Sequence, residues 1–153
     1  MKDETYYMQR AQQNFRDGYN CAQSVFLAFA EEQMEREKAA QLASALGGGI
    51  AGMRTVCGGV IGIAMAYGML RGYSDPNAVD EKAAEYAIVH EMADEFERLN
   101  GSLLCRDLLG LDETVKYVPP SERSAEYYET RPCPRLCACA AGILARYLEA
   151  HPE

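Results

Sequence analysis

Helix punctuation recurs along this chain while strand signals are nearly absent, and that contrast constrains the fold more than any other feature. No segment alternates polar and apolar residues over a strand's length, and β-branched residues are sparse. Asn20 followed three residues later by Gln23 reads as a capping box. Asp75-Pro76 reads as an N-cap with proline at the first helical position, and Asn100-Gly101 as a stop. Apolar spacing predicts helices over 4–15, from Asn20 to the acidic pair Glu31-Glu32, over 35–46, from the candidate cap Thr55 to 70, over 75–99 and over 134–150. Ser102 opens a short turn through Leu109, and residues 112–132 are irregular around Pro119-Pro120 and Thr130-Arg131-Pro132. With no repeat or linker, the expectation is all-α: a single compact multi-helix domain over residues 1–153, of about five to seven helices.

At 153 residues with 48% apolar and 25% charged content, the chain can bury a real core. Its net charge of −8, with no local Lys/Arg cluster, argues against nucleic acid or anionic lipid as a partner. The charged opening, Met1 to Tyr7, does not read as a cleavable leader, so a cytoplasmic location is expected. Ala45 to Leu70 carries a single charge, Arg54, and is long enough to span a bilayer. Seven glycines precede Gly68 there, and Gly47-Gly48-Gly49 would interrupt a spanning helix near its start. Two buried elements joined by a glycine turn are expected instead, with no membrane insertion.

Six cysteines without a leader point to a reducing compartment, where thiols stay free, bind metal or react. Cys21 directly follows the Asn20 cap, Cys57 lies two residues after Thr55, Cys105 three after Ser102, and Cys133 just before Pro134. Four of the six therefore fall at predicted helix N-termini. Unpaired amides and the helix dipole there stabilise a thiolate, the reactive and metal-binding form. Arg54, Arg106, Arg131 and Arg135 are close in sequence and would add to that effect. Free cysteine also commonly fills core space, and any one of these positions alone would read so. Four together at helix starts favour function.

Cys57 has the most distinctive surroundings, Cys57-Gly58-Gly59-Val60-Ile61-Gly62. Gly58, Gly59 and Gly62 would let a cofactor or second sulfur approach closely, although tight helix packing would call for the same glycines. Cys133, Cys137 and Cys139 form a C-x3-C-x-C pattern that is neither a zinc-ribbon nor a ferredoxin spacing. Cys139 reads as core, and the role of Cys137 stays open.

Other signals are weaker. Gly47 to Gly52 satisfies G-x-G-x-x-G, but a helix and not a strand precedes it. His90 reads as a packed or surface histidine, and His151 lies in the tail. Glu-x-x-His is absent, which removes the di-iron bundle pattern. The ten tyrosines read as core and interface area.

The motifs Gly18-Tyr19-Asn20-Cys21-Ala22-Gln23 and Cys57-Gly58-Gly59-Val60-Ile61-Gly62 resemble those of the redox-active protein family named for its C_GCAxxG_C_C pattern. Gly59 stands where the pattern has alanine. Cys105, in Cys105-Arg106-Asp107-Leu108-Leu109-Gly110, and Cys133, followed by the Ala140-Ala141 helix, resemble the third and fourth family cysteines. The resemblance covers nearly the whole chain, and Cys137 and Cys139 have no counterpart in it. It implies a redox role inferred from the cysteines, and members are often encoded near transporters. A related segment occurs in split-Soret cytochromes, but the C-x-x-C-H haem-attachment motif is absent here.

The leading expectation is a thiol-based redox or electron-transfer protein, a candidate thiol oxidoreductase. Cys57 would be its most activated thiol, and Cys21, Cys105 or Cys133 its resolving partners. The alternative uses Cys21, Cys57, Cys105 and Cys133 as four ligands to zinc or an iron–sulfur cluster. A third is a helical accessory module, associated with a transporter, whose cysteines only pack. Expected partners are a redox partner protein or transporter, and a second copy of the chain covering the apolar stretch Val60 to Leu70.

Overall fold

The centre of the fold is α2 (Cys21–Ala30), in which every residue from Ser24 to Ala30 is buried. The computed structural model describes residues 1–153 and contains eight helices and no strands. Besides α2 these are α1 (Glu4–Arg16), α3 (Arg36–Leu42), α4 (Gly58–Arg71), α5 (Val79–Asn100), α6 (Cys105–Leu108), α7 (Ala125–Thr130) and α8 (Cys133–Ala150). A helix apolar on all sides must be covered on all sides. Accordingly α1, α4 and α8 pack around α2, while α3 lies against α2, its Ala40 carbonyl accepting from Gln23 in the first turn, and α5 lies against α4 and α8. One cluster of 29 buried residues runs through these helices and includes Cys57, Cys133 and Cys137.

Capping chemistry sets most of the boundaries. Asn20 accepts from the Gln23 amide, and Gln23 returns a bond from its own side chain to the Asn20 amide, a complete capping box. Gly101 ends α5 in the left-handed conformation, φ 92°. Asp3 and Ser124 cap α1 and α7 through their side chains.

The all-α expectation holds, with eight helices against five to seven. Beyond the six spans read from apolar spacing are α6, within the stretch read as a short turn, and α7, six residues within the segment read as irregular. Three starts or stops also differ. Thr55 does not cap α4: its hydroxyl donates to the Gly49 carbonyl at 2.7 Å, and Cys57 occupies the N-cap position. Asp75 holds a turn instead of a helix, accepting from the Asn77 amide, so α5 begins at Val79. The third helix stops at Leu42, and turns lead into the glycine run. No helix is long and apolar enough to cross a membrane.

A candidate thiol site at four helix starts

The helices α2, α4, α6 and α8 begin with Cys21, an N-cap Cys57, Cys105 and Cys133, and these four starts meet at one end of the bundle. Three backbone bonds tie the second to the third, one of them from the Arg106 amide to Arg54 O at 3.1 Å. The Cys57 amide donates to Leu103 O at 2.7 Å and the Cys105 amide to Thr55 O at 2.6 Å, around a single Val56–Leu104 bridge. Gly58 brings the start of α4 onto the start of α2: a Cβ there would lie 2.8 Å from Cys21 Cβ. A Cβ at Gly62 would lie 2.6 Å from Val25 Cβ, and one at Gly59 would lie 3.2 Å from Ala140 Cβ on α8. All three glycines therefore serve close helix packing, and of the three only Gly58 also lines the cavity described next.

Cys21, Cys57, Cys105 and Cys133 line one partly open cavity of about 340 Å³. Arg54, Arg123 and Arg131 share its wall. Arg54 donates to the Cys105 sulfur at 3.6 Å and to Val118 O at 3.1 Å. Arg123 reaches in from the proline-rich segment, donates to Phe15 O and Tyr19 O, and stacks 4.1 Å above the Phe15 ring. Arg131 donates to Ser121 Oγ and lies over the Tyr127 ring.

The sulfurs interact with one another. Cys21, half-buried, lies close enough to Cys133 and Cys137 for their thiols to influence one another's ionisation. The Cys137 thiol also approaches Cys21 O at 3.9 Å. The proximity of ionisable sulfurs reaches across the cavity, since a charge on Cys57 would be felt by Cys105 and Cys133.

Helix starts alone would favour thiolates, but burial dominates here. Burial pushes the Cys57 thiol up to about 12, with Gly59 and Val60 amides pulling the other way. Burial also raises Cys105 against the downward pull of Arg54. Cys133 is raised by its hydrogen bond to Cys21 and by burial, while Arg131 and Arg123 oppose the rise. At Cys21 the hydrogen bond to Cys133 lowers the value, but the one to Cys137 and burial outweigh it, and the result lies well above the ordinary range. All of these sulfurs are accordingly protonated at neutral pH in the reduced chain.

All four sequence-selected cysteines reach one cavity. Cys137, whose role was open, lies fully buried one turn further along α8, behind the cavity wall with its thiol near Cys21 O, while Cys139 accepts from Asn100 Nδ2 at 3.4 Å; neither lines the cavity. Arg123 escaped the sequence reading because it lies in a segment without periodicity. No group of three or more His, Cys, Asp or Glu side chains is spaced to hold a metal ion.

This arrangement, thiols from four helix starts gathered on an all-helical scaffold, defines a cysteine-cluster protein. The family model described as "Putative redox-active protein (C_GCAxxG_C_C)" matches residues 19–147, and the chain belongs to that family. No curated protein and no solved structure matches it.

Proposed function

We propose that the protein is a thiol–disulfide exchange protein in which Cys21 exchanges with an external disulfide and Cys133 resolves the product. The observation that carries this reading is that Cys21 and Cys133 line the same open cavity, with the Cys137 thiol 3.9 Å from the Cys21 carbonyl. Of the four family cysteines Cys21 is the one that is half-buried as a residue, which favours it as the attacking one; Cys57 and Cys105 face the same cavity. Because the Cys21 thiol is held protonated, attack runs through the minor fraction that has given its proton to water, and that thiolate attacks one sulfur of the external disulfide. That S–S bond breaks, a mixed disulfide forms, and one thiol leaves with a proton. Cys133, deprotonated in turn, attacks the Cys21 sulfur and expels the second thiol. Two electrons pass from the cysteine pair to the external disulfide, and the chain keeps a Cys21–Cys133 bond. Cys137 competes with Cys133 for the resolving role.

Incubating the reduced chain with 2-hydroxyethyl disulfide and mapping non-reduced peptides by mass spectrometry tests this. Two thiols should disappear per chain, with the Cys21 peptide joined to the Cys133–Cys137 peptide. Cys21→Ser should abolish the cross-link and Cys139→Ser should leave it. Six persistent thiols would remove the reading.

A second reading has a specific observation behind it: four thiols and three guanidiniums around one cavity suit an anionic cluster or a zinc ion held by Cys21, Cys57, Cys105 and Cys133. The sulfurs would have to draw together, because they are not spaced for a metal as they stand. Iron and zinc analysis of protein purified without oxygen separates the two readings: near-stoichiometric metal favours this one, and none leaves the exchange pair.

A further inference from the structure

Three guanidiniums stand in the cavity wall, and no carboxylate stands with them: the lining contains no Asp or Glu, and no Lys or His. The imbalance is local, since the chain as a whole has 23 acids against 15 Lys and Arg. The ion-paired arginines are Arg10, Arg36, Arg71 and Arg146, all elsewhere. Arg54, Arg123 and Arg131 spend their donors on carbonyls, a hydroxyl and a sulfur, which leave the positive charge uncompensated.

Arg54 is the sharpest case. It is only 6% exposed, and its Nε is buried with no hydrogen-bond partner. A buried cation with an idle donor and no counter-charge costs stability unless something negative arrives. The cavity thiols do not supply that charge, because burial keeps them protonated.

The adjoining loop adds donors. Gly48, Gly49, Ile50, Ala51 and Gly52 all have positive φ, as does Arg54 at 59°. For a β-branched residue such as Ile50, at 66°, this is a strained conformation. The amides of Gly47, Gly48, Gly49 and Ile50 donate to no backbone carbonyl, and the three glycines line the cavity. Successive free amides of this kind form anion-binding concavities. At about 340 Å³ the space is at the low end for small-molecule sites.

We propose that the cavity binds a small molecule through a carboxylate or sulfonate group held by Arg54, Arg123 and Arg131, so that the substrate is an anionic low-molecular-weight disulfide; this substrate class rests on the exchange reading above. The guanidinium fork matches such oxygens in pairs, and the bound anion would place its sulfurs beside Cys21.

The test uses the reduced, metal-free full chain at low salt with three disulfides of similar length: cystamine (cationic), 2-hydroxyethyl disulfide (neutral) and 3,3′-dithiodipropionate (anionic). The net charge of −8 alone would favour the cation. The proposal expects the anion to oxidise the chain at least ten-fold faster than the cation. It also expects Arg131→Gln to reduce that preference several-fold. Arg131 is half-exposed, so this variant should fold, as far-UV circular dichroism would check. In parallel, calorimetry with glutarate, which has carboxylates and no sulfur, should show binding that Arg131→Gln weakens. Binding of glutarate without oxidation by any disulfide would sink the exchange reading and keep the anion site. Equal rates for the three disulfides with no glutarate binding would overturn the anion site and leave the exchange reading standing.

Discussion

At Cys57 two effects of position oppose each other. A helix N-terminus favours the thiolate, whereas a side chain 4% exposed among apolar neighbours favours the thiol. Burial dominates, with the thiol at about 12 against an ordinary value near 9. The sign of the consequence follows from proton counting. Below pH 9 both folded and unfolded chains hold the proton, and the folded state keeps its full advantage. Above pH 9 the unfolded thiol ionises and the folded one does not, so stability falls as pH rises, by up to about 1.4 kcal/mol per pH unit for each such thiol. Urea unfolding in reducing buffer should therefore show a falling free energy between pH 9 and 10, below the window of the raised tyrosines Tyr6, Tyr7, Tyr67 and Tyr127. Cys57→Ser should make that slope shallower by one thiol's share, the other raised cysteines keeping the rest. An identical slope in the variant would show that Cys57 is not held protonated by the fold.

Helix ends and helix contacts carry the site, and each can be tested through one residue. Asn20 caps α2 through the Gln23 amide and also donates to Ser44 O beside the glycine run. Asn20→Ala should lower stability by about 1–2 kcal/mol, measured by urea unfolding; a change near zero would mean that α2 is held in place by packing alone. Two glycines of α4 should respond in opposite senses. Gly62→Ala pushes a methyl to 2.6 Å from Val25 Cβ and should cost about 1–3 kcal/mol. At Gly68 the nearest atom is Glu85 Oε1 at 3.5 Å, an ordinary contact. Gly68→Ala should thus stabilise, by up to about 1 kcal/mol, through the better helix propensity of alanine. Equal effects at the two sites would refute this account of the glycines.

The same elements show what a sequence reveals. Local rules located Asn20, Gly101 and the four cysteines at helix starts, because caps and stops act within a few residues. They misplaced Thr55 and Asp75, each a good cap by type, because those side chains are engaged by a loop carbonyl and by a turn amide. They left Arg123 unremarked, since its role comes from Phe15 and Tyr19, 108 and 104 positions away. The left-handed run from Gly48 to Gly52 was equally hidden, because Ile50 and Ala51 are residues that rarely adopt that conformation.

For the whole molecule, the exchange proposed here links the first half of the chain to the last helix. Cys21 starts α2, the buried centre of the fold, and Cys133 starts α8, which packs on α1, α2, α4 and α5. A bond between them closes a loop of roughly a hundred residues in the unfolded chain. Chain entropy gives such a closure roughly 4.7 kcal/mol of stabilisation, reduced by any strain in the native bond. The stabilised state is the oxidised one, so the same free energy lowers the reduction potential of the pair: at about 30 mV per 1.4 kcal/mol, the full effect is on the order of 100 mV. Unfolding in urea should accordingly show a higher midpoint for the oxidised chain than for the reduced chain. A glutathione-buffer titration of the wild type should place the midpoint well below that of an unconstrained dithiol. Equal urea midpoints in the two redox states would mean either that the bond is strained by as much as it gains, or that it joins cysteines close in sequence. Peptide mapping of the oxidised sample separates these, because a Cys133–Cys137 bond closes only one helical turn and contributes little chain entropy.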